Sequence, residues 1–379
     1  MKRVLALLGV LCLLVVPVRG TDLAVEAESC ILMEKATGQV LYAENEHEQL
    51  EPASVTKIMT ILLVMEAIDS GALSYDDMVT ASAYACSMGG SQIWLKENEQ
   101  MSVRDMLKAV CVASANDCSV ALGEHLAGSA EAFVERMNQR AAELGMNDTH
   151  FVNPTGLPAD GHITSAYDIA LMSRELILHH PDIRQFTTIW MDTLRDGAFT
   201  LSNTNRLVRY YEGTTGLKTG STDAAGYCLS ATAERDGMEL IAVILKAPTS
   251  DLRFAGAQAL LNYGFSTYAL VDVTPEQVLP ALPVTLGTAD FVQPVLGEGS
   301  QLLLEKAAAA GLSQEVLLPE GLEAPVAAGQ EIGQLLLTAG GEQVAAIPIV
   351  AGEGVERLGY GEILLKFLKM ALCMAPFRG

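Results

Sequence analysis

The alternation of apolar and polar positions changes period several times along the chain. Between Ala24 and Tyr42 two short apolar runs flank Ala36-Thr37-Gly38-Gln39, which predicts a β-hairpin around a Thr-Gly turn. From Ser54 to about Ala127 the spacing becomes helical, punctuated by Gly71, Gly89-Gly90 and Asn98. The stretch from Met101 to Val112 is amphipathic and stops at Ser114-Ala115-Asn116-Asp117. Further helices are predicted from Ser129 to Leu144, ended by Gly145, and from Ala166 to His179, capped by Ser165 and followed by Pro181. Two strand-like runs, from Gly226 to Ala233 and from Met238 to Leu245, are joined by Glu234-Arg235-Asp236-Gly237, a strong hairpin signal. A helix from Leu252 to Tyr263 then closes an α/β unit.

The pattern shifts again near Val271. Residues 269–355 hold seven of the fourteen prolines, no cysteine, eleven acidic residues and one basic residue, Lys306. Short apolar runs recur there between Gly and Pro, so a small β-rich sandwich is predicted. From Arg357 onward, four basic residues stand against Glu362, while Ile363, Leu364, Phe367, Leu368, Ala371, Met374 and Ala375 share one helical face. Too short and too charged to span, this segment reads as a helix lying in a membrane surface; an ordinary helix packed on the body is the alternative.

At the other end, Lys2-Arg3, the apolar run from Val4 to Val18 and the small residues near Gly20 read as a secretory signal. The run is shorter than the ~20 residues that a membrane span needs. The chain of 379 residues carries a net charge of −22, which disfavours a nucleic-acid partner because phosphate binding needs clustered Lys and Arg. Neither the seven cysteines nor the six histidines show metal-ligand spacing, so no metal and no other cofactor is expected. Most of the cysteines, and Trp94 likewise, are read as core.

Candidate chemistry begins at Pro52-Ala53-Ser54-Val55-Thr56-Lys57. Ser54 and Lys57 are three residues apart, on one face of a helix, and a lysine whose pKa is lowered can deprotonate a serine. The pair gains force from Ser114-Ala115-Asn116, 60 residues after Ser54, and from Lys218-Thr219-Gly220, 164 residues after it.

This S-x-x-K, S-x-N and K-T-G set resembles that of the penicillin-recognising serine enzymes. Together with Asn153-Pro154-Thr155-Gly156-Leu157 and Gly226-Tyr227-Cys228-Leu229, it is similar to one family: the serine D-Ala-D-Ala carboxypeptidases among low-molecular-mass penicillin-binding proteins. Ala115 departs from the glycine common in that family, and Ser221 follows K-T-G where the residue varies. The resemblance implies an α/β (α+β) transpeptidase-like domain with a helical subdomain over 21–268, after a signal peptide at 1–20. It implies a small all-β second domain over 269–356 and an amphipathic anchor helix over 357–379, on the outer face of the cytoplasmic membrane.

It also implies roles. Ser54 is the nucleophile, Lys57 the base, and Ser114 a proton relay. Asn116 holds Lys57 and the substrate backbone, and Lys218, Thr219 and Arg253 face the substrate's terminal carboxylate. The strand through Gly220 aligns the peptide, and the backbone N–H groups of Ser54 and Ser221 form the oxyanion hole. The expected partners are peptidoglycan stem peptides, β-lactam inhibitors and the membrane surface. His162 and Asp168 are weaker candidates, with structural capping as their expected role, and Cys118 lies close enough to Ser114 to make activity thiol-sensitive. A class A β-lactamase is a poorer match, because residues 147–153 lack the glutamate that drives deacylation in those enzymes. D,D-endopeptidase action uses the same residues, and a non-catalytic wall-binding module remains open.

Overall fold

The computed structural model describes residues 23–297, 299–364 and 368. The chain opens with the expected hairpin, β1 (Ser29–Glu34) and β2 (Val40–Glu44), and a 3-10 turn at Ala53–Thr56 leads into α1 (Lys57–Asp69). The helical subdomain follows: β3 (Met78–Thr80), α2 (Ala83–Cys86), β4 (Gln100–Ser102), α3 (Val103–Ala113), α4 (Asn116–Ala127) and α5 (Ala130–Glu143). Next come α6 (Ala166–His179), α7 (Arg184–Thr187), β5 (Met191–Leu194), β6 (Phe199–Ser202) and α8 (Leu207–Tyr210). The chain then returns to the main sheet with β7 (Thr214–Thr222), β8 (Gly226–Arg235) and β9 (Met238–Ala247), and α9 (Ser250–Thr267) closes the domain.

The main sheet is five-stranded and antiparallel throughout, in the order β2-β1-β9-β8-β7. Its centre is β9, an almost unbroken apolar run buried on both faces. On one face Leu240, Ala242 and Ile244 pack under α9. On the other, Ile241, Val243 and Leu245 join a larger core with α1, α3, α4 and α6. This layering leaves β7 as an edge strand directly beside the turn at the head of α1, and so defines the cleft.

Helix limits follow their caps. Ser102 accepts from Asp105 N at 3.2 Å and Ser165 from Asp168 N at 3.2 Å, while Thr249 caps α9, which starts at Ser250, two residues before the predicted Leu252. Two strand pairs carried no visible signal. The β3–β4 ribbon is only three residues wide, too short for periodicity to register. The β5–β6 hairpin turns through Arg195, Asp196 and Gly197, all with positive φ. Trp94 corrects an expectation: it is 64% exposed, because Ile93 and Leu95 on either side turn inward and its indole meets Phe199 edge-on at 5.7 Å.

Beyond α9, β10 (Tyr268–Asp272) leads to β11 (Leu282–Thr285), β12 (Phe291–Val292), β13 (Pro294–Leu296) and β14 (Gln301–Glu305). A single helical turn, α10 (Lys306–Ala309), precedes β15 (Leu312–Leu317), β16 (Leu322–Glu323), β17 (Glu331–Ala339) and β18 (Glu342–Ala351). A three-stranded sheet, β12-β11-β16, and a four-stranded one, β13-β18-β17-β15, enclose one core that includes Val284, Val292, Leu335 and Ile349. The β10–β14 ribbon joins this unit to α9, where Lys306 Nζ donates to Phe265 O at 2.7 Å. Residues 360–364 are helical; most of the expected amphipathic helix and all of the expected signal lie outside the described residues. Among the described residues no helix is long and apolar enough to cross a membrane.

Candidate active site

The turn Ala53–Thr56 is anchored by Val55, Ile58 and Met59, all fully buried, and it delivers Ser54 and Lys57 to the cleft. Lys57 is wholly buried, with Nζ 2.9 Å from Ser54 Oγ and donating to Thr155 O at 2.7 Å. Burial holds its pKa well below the ordinary lysine value, and the neighbouring Lys218 cation adds to that effect against a smaller opposing pull from Asp117. A buried amine without a carboxylate partner is a proton acceptor in waiting, which is the state a general base needs.

The Thr155 carbonyl is held by an Asn-centred turn. Asn153 Oδ1 accepts from Thr155 N at 3.1 Å, Thr155 Oγ1 at 2.9 Å and Gly156 N at 2.8 Å. Gly156 has φ +80°, and a Cβ there would stand 1.7 Å from Ala53 O, so only glycine lets this loop close on the Ser54 turn. His162 fastens the same two segments: its Nε2 meets Thr56 Oγ1 at 2.8 Å, while its Nδ1 accepts from Val152 N at 3.0 Å. Because Thr56 Oγ1 itself donates to Ala53 O, the imidazole is the neutral Nε2–H form, and burial lowers its pKa to about 4. His162 therefore braces the nucleophile turn instead of capping a helix. Asp168 accepts from Asp148 N and Thr149 Oγ1, a structural role.

Ser114 ends α3 in the left-handed conformation, φ +62°, a geometry that non-glycine residues adopt under tertiary constraint. Its buried Oγ has no partner among the described residues, and neither has Oδ1 of Asn116. Asn116 Nδ2 donates to Gly89 O at 2.7 Å and its backbone N–H to Ser91 O at 2.7 Å. The expected hold of Asn116 on Lys57 is absent; the Thr155 carbonyl takes that place. Leaving buried polar atoms unpaired costs about 1–3 kcal/mol each, so these two oxygens are poised for groups brought by a ligand.

On β7, Lys218 is buried and its Nζ donates to Thr219 O at 2.8 Å. Burial, with a further push from Arg253, brings its pKa down to about 7. Thr219 Oγ1 donates to Thr204 Oγ1 at 2.7 Å. At Gly220 a Cβ would lie 2.7 Å from Ser54 N and 2.9 Å from Pro52 O, so the glycine of K-T-G is what lets the strand reach the nucleophile turn. Ser221, the next residue, is exposed on the same strand. Arg253 sits behind β7 on α9, 7% exposed, donating to Gly220 O at 3.1 Å, Cys228 O at 3.2 Å and Ser250 Oγ at 3.2 Å. It grips the back of the strand instead of standing open in the cleft.

Thr155, Asn153, Thr204 and Asp117 belong to this arrangement without having been singled out. Asn153 lay in the motif already quoted, and Asp117 follows Asn116, but Thr204 carries no motif at all. Among the described residues no group of three His, Cys, Asp or Glu is placed to hold a metal ion.

A serine beside a buried lysine, a second lysine on an edge strand, and a fold of a five-stranded sheet with a helical subdomain define a serine acyl-transfer enzyme of the penicillin-recognising class. Residues 17–249 match the family model described as D-alanyl-D-alanine carboxypeptidase, and residues 274–357 that of the penicillin-binding protein 5 C-terminal domain. The D-alanyl-D-alanine carboxypeptidase DacF of Bacillus subtilis is 41% identical over 98% of both chains. The crystal structure of penicillin-binding protein 5 from Haemophilus influenzae superposes with a TM-score of 0.79 at 29% identity, covering 89% of this chain and all of that one. Penicillin-binding protein D2 from Listeria monocytogenes, in its ampicillin-bound form, is 35% identical with a TM-score of 0.60 over 65% of this chain and all of that one. The chain belongs to the D-alanyl-D-alanine carboxypeptidase family of penicillin-binding proteins and is a serine-type peptidase.

Proposed function

We propose that Ser54 is the residue that attacks, and that its target is the carbonyl of the penultimate D-Ala of a peptidoglycan stem peptide. The observation that carries this reading is the wholly buried Lys57 amine 2.9 Å from Ser54 Oγ, its pKa depressed. Lys57 Nζ takes the Ser54 proton as the Oγ–C bond forms; as the C–N bond breaks, Ser114 Oγ gives its proton to the amide nitrogen and takes that proton over from Lys57, freeing D-Ala and leaving Lys57 neutral. Water then adds to the acyl-enzyme by the reverse relay. Lys218 and Thr219 hold the terminal carboxylate, while Asn116 Oδ1 and the β7 edge align the peptide backbone. Backbone N–H groups of Ser54 and Ser221 stabilise the oxyanion. Arg253 acts through Gly220, fixing the strand that presents these donors. The ampicillin-bound relative supports β-lactams as acylating inhibitors. A peptide ending in D-Ala-D-Ala is expected to lose its last residue, and the same peptide ending in L-Ala is not; equal release from both, measured by amino-acid analysis, refutes the stereospecific reading.

Secretion and attachment to the outer face of the cytoplasmic membrane belong to the same proposal. They are supported by the basic start and apolar run of residues 1–20 and by the net charge of +3 over residues 357–379 of an otherwise acidic chain. Tyr360, Leu364 and Leu368 are exposed, which fits a face awaiting a lipid surface. Deleting residues 360–379 is expected to release the protein from anionic vesicles in a flotation assay with activity on soluble peptide unchanged; persistent flotation refutes the anchor.

A further inference from the structure

The carboxylate of Asp117 is fully buried, and among the described residues no Lys, Arg or His nitrogen lies within ion-pair distance of it. Its partners are backbone amides: Ile93 N at 3.3 and 3.1 Å from its two oxygens, Leu95 N at 3.1 Å, and Cys118 N at 2.9 Å. Burying a carboxylate is costly unless several donors meet it, and here two of the three donating residues belong to one surface segment, 89–95. That segment is a loop without helix or strand of its own, so Asp117 is one of the points at which it is tied down, and holds it from within. The same loop reaches Asn116, the neighbouring residue, from above through Gly89 O and Ser91 O.

We propose that Asp117 is a positioning residue of the active site: it fastens the 89–95 loop over Asn116, and through that loop fixes the direction of the unpaired Asn116 Oδ1, while its negative charge acts on Lys57 across the α1–α4 contact. This rests on the reading of Ser54 as the nucleophile. The loop transmits position because Asn116 Nδ2 and its backbone N–H each donate to a loop carbonyl. Its side-chain acceptor, the buried and unpartnered Oδ1, is thereby held in a direction open to the substrate. The charge transmits to Lys57 because Asp117 favours the ammonium form against burial and Lys218. The other charged or titratable groups around this region are Arg195 with Glu99 on the hairpin side, Glu97 and Glu124, and the thiols of Cys86 and Cys118. Arg195 donates to Ile93 O and Trp94 O, so it holds the outer side of the loop that Asp117 holds from within.

The test uses the full chain and an acylating penicillin, with active sites counted by the labelled fraction at completion. Wild type must label; if it does not, the reading of Ser54 fails and not this one. Asp117→Asn keeps the shape and one acceptor but loses the charge, and it is expected to slow acylation per active site by about 10- to 100-fold, the usual cost of a small misplacement. It is also expected to move the acid limb of the pH profile to lower pH, since Lys57 then loses a group that favours its proton. A merely structural Asp117 would lower the labelled fraction and leave both the rate per site and the pH limb alone, which overturns the proposal. Gly90→Ala tests the loop independently of the charge. A Cβ there would lie 2.9 Å from Asn116 Nδ2, so it is expected to slow acylation without moving the limb. Wild-type acylation by Gly90→Ala overturns the loop's positioning role even if Asp117→Asn fails to fold.

Discussion

Ser54→Ala is expected to abolish D-Ala release and the covalent penicillin adduct together, a loss of about 10⁶-fold, the scale at which removal of a nucleophile leaves only binding and electrostatic background. The fold should survive the change. Ser54 is only half-buried, alanine fits the 3-10 turn, and Lys57 keeps its bond to Thr155 O at 2.7 Å. The variant should therefore bind D-Ala-D-Ala peptide without turning it over, because Lys218, Thr219, Asn116 and the β7 edge are untouched. Intact-mass spectrometry after incubation with a penicillin provides the measurement. A remaining stoichiometric adduct would mean that another nucleophile carries the chemistry, and loss of peptide binding along with the adduct would mean that the site had collapsed.

The parts of this site that were legible in the chain are those where chemistry constrains both residue type and spacing. A serine three residues before a lysine forms a contact inside a single helical turn, so the sequence separation is itself the geometry. K-T-G was legible for a related reason: Gly220 must be glycine, since any Cβ would strike the nucleophile turn. Where a role is filled by backbone, the sequence is silent. The partner of Lys57 is the Thr155 carbonyl, an atom every residue owns, and the Asn116 side chain was wrongly expected there. Arg253 shows the same limit. The resemblance implied that it faces the substrate's carboxylate, whereas the sheet brings two backbone carbonyls to it. In the fold, long periodic segments such as α6 and the β8–β9 hairpin were recovered nearly to the residue. The β3–β4 ribbon was missed because three-residue strands are defined by their partner across the ribbon. Trp94 misled because bulk and apolarity ordinarily mean burial; its outward placement depends on Asp117 fixing the amides of Ile93 and Leu95 on either side.

Lys57→Met is expected to lower acylation by about 10⁴-fold, the upper range for loss of a general base, with the protein still folded. Methionine is long, flexible and apolar, so it fills the wholly buried channel without a charge to solvate. The Thr155 carbonyl loses its donor, a cost of about 1–3 kcal/mol that thermal unfolding should register as a modest drop. The pH dependence separates loss of a base from loss of packing. Wild-type kcat/KM must fall as pH drops through the Lys57 pKa, because only the neutral amine can accept the Ser54 proton. Burial and then Lys218 hold that pKa down, placing the acid limb well below where an ordinary lysine would titrate. In Lys57→Met the residual rate should lack that limb. The neighbouring charges then act with opposite signs on the same limb: Lys218→Gln removes a cation and should shift it to higher pH, while Asp117→Asn removes an anion and should shift it to lower pH. Opposed shifts place the titrating group within reach of both charges, and loss of the limb in Lys57→Met assigns it to Lys57. A limb that persists in Lys57→Met would assign it to another residue and remove Lys57 from the role of base.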